Sequence, residues 1–114
     1  MKAAECTTMA EIRAEIDRVD RALVAMFAER TSYIDRAAEI KTEVGLPARI
    51  NDRVEEVVRN VRAEAARHGL PPDQLEKLWR KLIDWSIARE EDVLGPESDM
   101  TPPVEGERDD GQGN

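Results

Sequence analysis

Six polar side chains stand on, or directly beside, positions that a helical protein keeps apolar: Arg13, Arg30, Lys41, Arg53, Ser86 and Glu90. Four of the six are cations. Arginine grips a carboxylate through two parallel N–H bonds, and lysine offers a compact point charge. A cation on a buried face needs an anion to meet it. As a set, these residues suit a pocket for a small molecule with two or more carboxylates. They contain no histidine or thiol.

Each residue alone also has an ordinary reading. Arg30 equally fits a seam arginine that pairs with a carboxylate on another helix. Lys41 and Arg53 fit solvated helix edges, and Arg13 fits a surface position. Ser86 can bond its own preceding helical turn, and Glu90 near a helix end can be partly wet. His68 suits a charge at a helix C-terminus. Trp79 and Trp85 read as packing residues. The specificity lies in the set, not in its members.

The elements that must carry these residues are helices. From Thr8 to Lys41 the apolar stripe runs Met9, Ile12, Ile16, Val19, Leu23, Met26, Arg30, Tyr33, Ala37 and Ile40, at alternating steps of three and four. That is the period of a helix burying one face. Thr8 with Glu11 three residues on forms a capping-box pattern, and Gly45-Leu46-Pro47 stops the helix after Val44. Such a helix would be roughly 50 Å long. A second helix should begin at Asn51 as N-cap, with the stripe Val54, Val57, Val58, Val61 and Ala65, and end around His68–Gly69. Pro71-Pro72 opens a third helix, with the stripe Leu75, Leu78, Trp79, Leu82, Ile83, Ser86, Glu90 and Val93, which Gly95-Pro96 ends.

The expected organisation is a short loose leader over residues 1–7, a helical domain over 8–94, and a disordered acidic tail over 95–114. No stretch alternates like a strand. The fold class is all-α: a three-helix chain whose first helix is too long for the other two to cover. The economical remedy is an intertwined homodimer in which two first helices pack side by side. Arg13 and Arg30 are about 25 Å apart along one helix, so they cannot grip one small molecule within a chain. An antiparallel neighbour would bring a second Arg13 toward Arg30 and Lys41, giving two equal sites per dimer.

Composition narrows the partners. The chain has 114 residues, 40% hydrophobic and 37% charged, with a net charge of −8. That balance argues against a general nucleic-acid or membrane-surface binder. Residues 95–114 carry −5 of that charge, leaving −3 for the rest, so a local cationic pocket is compatible with the total. The single cysteine, Cys6, excludes an intrachain disulfide and a cysteine metal cluster. No apolar leader segment or membrane-length run is present, so a cytoplasmic setting is expected.

At this point the chain resembles a known family. The run Ile12-Arg13-Ala14-Glu15-Ile16-Asp17-Arg18-Val19-Asp20, then Glu29-Arg30, Lys41, Asp52-Arg53, Leu78-Trp79 and Ile83-Asp84-Trp85-Ser86, is similar to the all-helical (AroQ-type) chorismate mutases. That grouping includes their relatives, the isochorismate-pyruvate lyases. The likeness covers about residues 5–94. It implies a dimer of interlocked three-helix chains with two identical sites and no cofactor or metal. Arg13 of one chain, with Arg30, Lys41 and Arg53 of the other, would hold the carboxylates and ether oxygen of chorismate. Lys41 and the side chain at Glu90 would donate to that oxygen, with Arg30 beside them, and Ser86 would lie near the ring carboxylate. The implied activity is conversion of chorismate to prephenate in aromatic amino-acid biosynthesis.

Two departures bear on this. Glu90 stands where many members carry Gln. An ionised carboxylate would repel the ether oxygen, so Glu90 must carry its proton to assist, and activity should rise as pH falls. Ile50-Asn51 and Val54 stand where many mutases carry acids. Val54 and the Glu5-Cys6-Thr7 leader look like the lyase branch, in which isochorismate yields salicylate and pyruvate. A non-enzymatic alternative is a helical dimerisation module whose seam charges only fix register.

Overall fold

The structure is a computed structural model and describes residues 1–95. The described elements are a 3-10 turn at Ala3–Glu5, then α1 (Met9–Val44), α2 (Asn51–Arg67) and α3 (Pro72–Leu94). Among the described residues there is no strand. The acidic tail expected to be disordered lies, from residue 96 on, outside the described residues. The chain divides into two compact units, residues 1–33 and the remainder from Ile34.

In the first unit, the start of α1 is fixed by a reciprocal capping box. The Glu11 amide donates to Thr8 Oγ1 at 3.1 Å, and the Thr8 amide donates back to Glu11 Oε1 at 3.2 Å. The Thr7 amide adds a 2.8 Å bond to the same carboxylate oxygen. Two helix-start amides thereby find acceptors. These bonds, led by those from the Thr7 and Thr8 backbone, hold the Glu11 carboxyl below the usual carboxylate range. The leader expected to be loose instead contains a turn, in which the Lys2 amide donates to Glu5 Oε1 at 2.8 Å. Ile12 and Arg30 are half-buried, whereas Met9, Ile16, Val19, Leu23, Met26 and Tyr33 are exposed.

The second unit has the core. Ala48, Val54, Val58, Ile83 and Ile87 are buried together, with Val57, Trp79 and Leu94 packed against them. Ala65 on α2 and Ala38 on the last part of α1 are also buried. The α3 stripe differs from its sequence reading at three positions. Ile87 is buried, while Leu78 and Val93 are exposed. The inward face runs Trp79, Ile83, Ser86/Ile87, Glu90 and Leu94, and a residue one step off that line points about 100° away. Trp79 packs, but Trp85 is half exposed.

The ends of α1 and α2 are set by glycine. Gly45 has φ 78°, and the amides of Gly45 and Leu46 both bond to the Lys41 carbonyl, at 2.8 and 2.9 Å. Gly69 has φ 72°, and the Leu70 amide reaches back to the Ala65 carbonyl at 2.8 Å. Both positions need a left-handed backbone that a side chain resists. The start of α2 corrects one expectation. Asn51 is the first helical residue and Ile50 is the cap, without a side-chain bond; the Ile50 carbonyl receives the Arg53 and Val54 amides at 3.0 Å.

Ion pairs lace the outside of the α2–α3 hairpin. Arg80 bonds Glu76 at 2.7 Å and both oxygens of Glu55, at 3.0 and 3.2 Å. Arg62 bonds Glu76 at 2.8 Å and Asp73 at 2.9 Å. The Arg80 guanidinium, by its hydrogen bonds, holds the Glu55 and Glu76 carboxyls below the usual carboxylate range.

Candidate active site

Lys41 lies in the last turn of α1, where its backbone carbonyl closes the glycine cap and its side chain turns toward α3. Its ammonium donates to Glu90 Oε1 at 2.7 Å and to the Ala48 carbonyl at 2.7 Å. The pair is well covered, with side-chain exposures of 17% for Lys41 and 6% for Glu90. An ammonium carries three donors. Among the described residues, two are committed to these oxygens. Glu90 approaches from α3 because the face that begins at Trp79 reaches it after three turns.

Ser86 precedes Glu90 by one helical turn on the same face and is buried with it. Its hydroxyl donates to the Leu82 carbonyl at 2.9 Å, the back-bond available to any helical serine.

Arg53 is engaged on the surface of its own helix. Arg53 is exposed, and its guanidinium pairs with Glu56, one turn on, at 3.0 Å. In this conformation it belongs to the α2 surface, and the helix-start acids supply its nearest anion. Arg13 and Arg30 belong to the first unit, where Arg13 is exposed and Arg30 half-buried.

Three partners of the site have weak or no sequence signals. The Ala48 carbonyl is a main-chain group, which composition cannot reveal. Arg49 donates to Asp84 Oδ1 at 2.9 Å across 35 residues. Arg89, next to Glu90, holds Asp35 on α1 through both oxygens, at 2.6 and 3.1 Å. That guanidinium keeps the Asp35 carboxyl below the usual range, chiefly by its hydrogen bond. These pairs tie the end of α1 and the α1–α2 connection to α3. Among the described residues, no group of three or more His, Cys, Asp or Glu is placed to hold a metal ion. None of the described helices is long and apolar enough to cross a membrane.

Residues 12–91 match the family model described as "Chorismate mutase type II". The chain belongs to the type II chorismate mutase family. Among its relatives, the T-protein of Enterobacter agglomerans is 33% identical over 81 residues, which are 71% of this chain and 22% of that protein. The chain thus spans about a fifth of the T-protein's length. The isochorismate pyruvate lyase of Pseudomonas aeruginosa is 34% identical over 87 residues, 75% of this chain and 84% of the lyase. The chorismate mutase of Methanocaldococcus jannaschii is 29% identical over 86 residues, 75% of this chain and 87% of that enzyme. Lys41, Ser86 and Glu90 all fall inside the matched segment.

Proposed function

We propose that this member of the family is a chorismate mutase, converting chorismate to prephenate as a homodimer. The observation that carries the reading is the covered Lys41–Glu90 pair at 2.7 Å. The reaction is an intramolecular rearrangement: one C–O bond breaks as one C–C bond forms, and no atom enters or leaves. The barrier falls when the substrate is held in its folded conformer. It falls further when a donor meets the charge that grows on the ether oxygen. Lys41, pinned by two acceptors, would direct its third hydrogen to that oxygen. Glu90, when protonated, would supply a second donor. When Glu90 is ionised, it counters the Lys41 charge before substrate arrives.

The substrate carboxylates need further cations. Arg30, Arg53 and an Arg13 donated across chains would provide them, with Ser86 beside the ring carboxylate. Arg53 would exchange Glu56 for substrate, which is inexpensive because exposed ion pairs of this kind contribute at most about 1 kcal/mol. Dimerisation would cover the exposed stripe of Ile16, Val19, Leu23 and Met26 on α1. The reading places the enzyme in aromatic amino-acid biosynthesis, in the cytoplasm.

A second reading, isochorismate-pyruvate lyase, is favoured by one observation. Val54 is buried at the start of α2, and a named lyase matches over most of its own length. A paired assay separates the two. Purified protein is given chorismate, followed to prephenate by absorbance, and isochorismate, followed to salicylate by fluorescence. Turnover of chorismate alone supports the mutase. Efficient salicylate release would reassign the protein to the lyase branch. Neither product would leave the dimerisation module.

A further inference from the structure

The acceptor that aims Lys41 is a main-chain carbonyl, and something must hold its peptide plane still. That carbonyl belongs to the peptide joining Ala48 to Arg49. On one side the plane is fixed by burial of Ala48 among Val54, Val58, Ile83 and Ile87. On the other side the Arg49 side chain reaches Asp84 Oδ1 at 2.9 Å. Asp84 and Glu90 are six residues apart on α3, about 9 Å along its axis. α3 therefore grips the connection twice, through Asp84 to Arg49 and through Glu90 to Lys41 and on to Ala48. From this geometry we infer that Arg49 and Asp84 form a positioning latch, which orients the Ala48 carbonyl and through it the Lys41 ammonium.

The latch is built to be weak. Asp84 is 66% exposed and Arg49 23% exposed, so water and salt screen the pair. Opening it does not threaten the core, which rests on Ala48, Val58, Ile83 and Ile87. What it removes is one restraint on the Ala48–Arg49 peptide, while the flanking helix ends stay held by the Lys41 and Ile50 carbonyls. With the carbonyl turned away, Lys41 keeps only Glu90 as a partner and its third hydrogen loses its aim. Neither Arg49 nor Asp84 need touch substrate. Their effect is on the orientation of the donor, and hence on turnover more than on affinity.

The inference rests on the mutase reading for its catalytic consequence, but not for its structural one. The test therefore takes two readouts on the full chain with Asp84→Asn, Arg49→Gln and the charge swap Arg49→Asp with Asp84→Arg. One readout is the rate at which a small amine-acylating reagent modifies Lys41, measured by mass spectrometry. The other is kcat and KM on whichever substrate the wild type turns over. The latch predicts that each single variant acylates Lys41 several-fold faster. It also predicts kcat reduced about three- to tenfold, KM within twofold of wild type and melting temperature unchanged. The swap should restore part of both. Raising salt should lower kcat in the wild type but not in Asp84→Asn. Unchanged Lys41 acylation in both single variants would overturn the latch, as would a loss that appears only as raised KM or lowered melting temperature. If the wild type turns over neither substrate, the functional reading fails, while the acylation rates still decide the latch.

Discussion

The two units of this chain solve the same problem in opposite ways. Between Ile34 and Gly95 the chain builds a core of its own, in which valines on α2 meet Ile83, Ile87 and Trp79 on α3, although Leu78, Trp85 and Val93 stay exposed. Pairs such as Lys41–Glu90, Arg49–Asp84 and Arg89–Asp35 link residues 35 to 54 apart in the chain. Polar contacts within residues 1–33 span shorter stretches: the Thr8–Glu11 capping box, Arg18 to Glu15 at 3.0 Å, Tyr33 to Glu29 at 3.3 Å, and the Met1 amine to Glu15 at 3.3 Å. Its apolar stripe is as regular as any on α2, yet Ile16, Val19, Leu23 and Met26 are exposed. Periodicity announces that a face is meant to be covered. It does not say by what. On our reading, one unit completes its core within the chain and the other completes its core with a second copy.

The largest expected effect strikes the exposed stripe. Leu23→Asp puts a charge in the middle of the proposed seam, and burying an unpaired carboxylate there is prohibitive. Sedimentation should report a monomer, and activity should fall to background. A variant that stays dimeric and active would break the comparison at its root.

Next comes Lys41→Ala. Removing a donor aimed at developing charge should cost about 10²–10³ in kcat, with a smaller change in KM. Steady-state kinetics decide it, and an effect confined to KM would contradict the role given to the ammonium.

Glu90→Gln replaces the counter-charge of Lys41 with a neutral amide that can itself donate. On the mutase reading the variant should keep or raise kcat on chorismate, with a change of at most about tenfold. A loss as large as that of Lys41→Ala in steady-state kinetics would contradict a donor role at this position.

The smallest effect lies on the hairpin surface. Glu55 and Glu76 are held below the usual carboxylate range by Arg80, so their contribution is present above that range. It is lost as pH falls through their lowered folded values. Arg80→Leu should therefore lower the melting temperature slightly at neutral pH and hardly at all in strong acid. Thermal melts across pH would sharpen the picture of a self-supporting hairpin, and a larger loss in acid would reverse it.

Much of this was legible in the sequence because it depends on local chemistry. The capping box at Thr8 and Glu11, the glycine stop at Gly45 and the proline start of α3 are each dictated by residues within one turn. The stripes on α2 and α3 were readable to within a residue, with Leu78 and Val93 drawn in by hydropathy although they lie one step off the buried line. Lys41, Ser86 and Glu90 stood out as polar groups on apolar faces, and the fold brings Lys41 and Glu90 into contact. Asp84 was visible only as part of a family pattern, not as a partner of Arg49. The Asp35–Arg89 pair was not visible, because a cross-helix ion pair follows no sequence spacing. Arg53 shows the limit from the other side: its position on the helix edge was readable, but its pairing with Glu56 depends on which anion is nearest.

The central claim is that one site is assembled from two chains, and subunit mixing tests it most directly. Arg13→Ala and Lys41→Ala, each inactive alone, are unfolded together and refolded as a mixture. If Arg13 is donated across the dimer, each mixed dimer holds one wild-type site and one doubly damaged site. About a quarter of wild-type activity should then return. If both residues serve a site within their own chain, no mixed dimer contains an intact site, and activity that stays at the level of the separate variants would contradict the account.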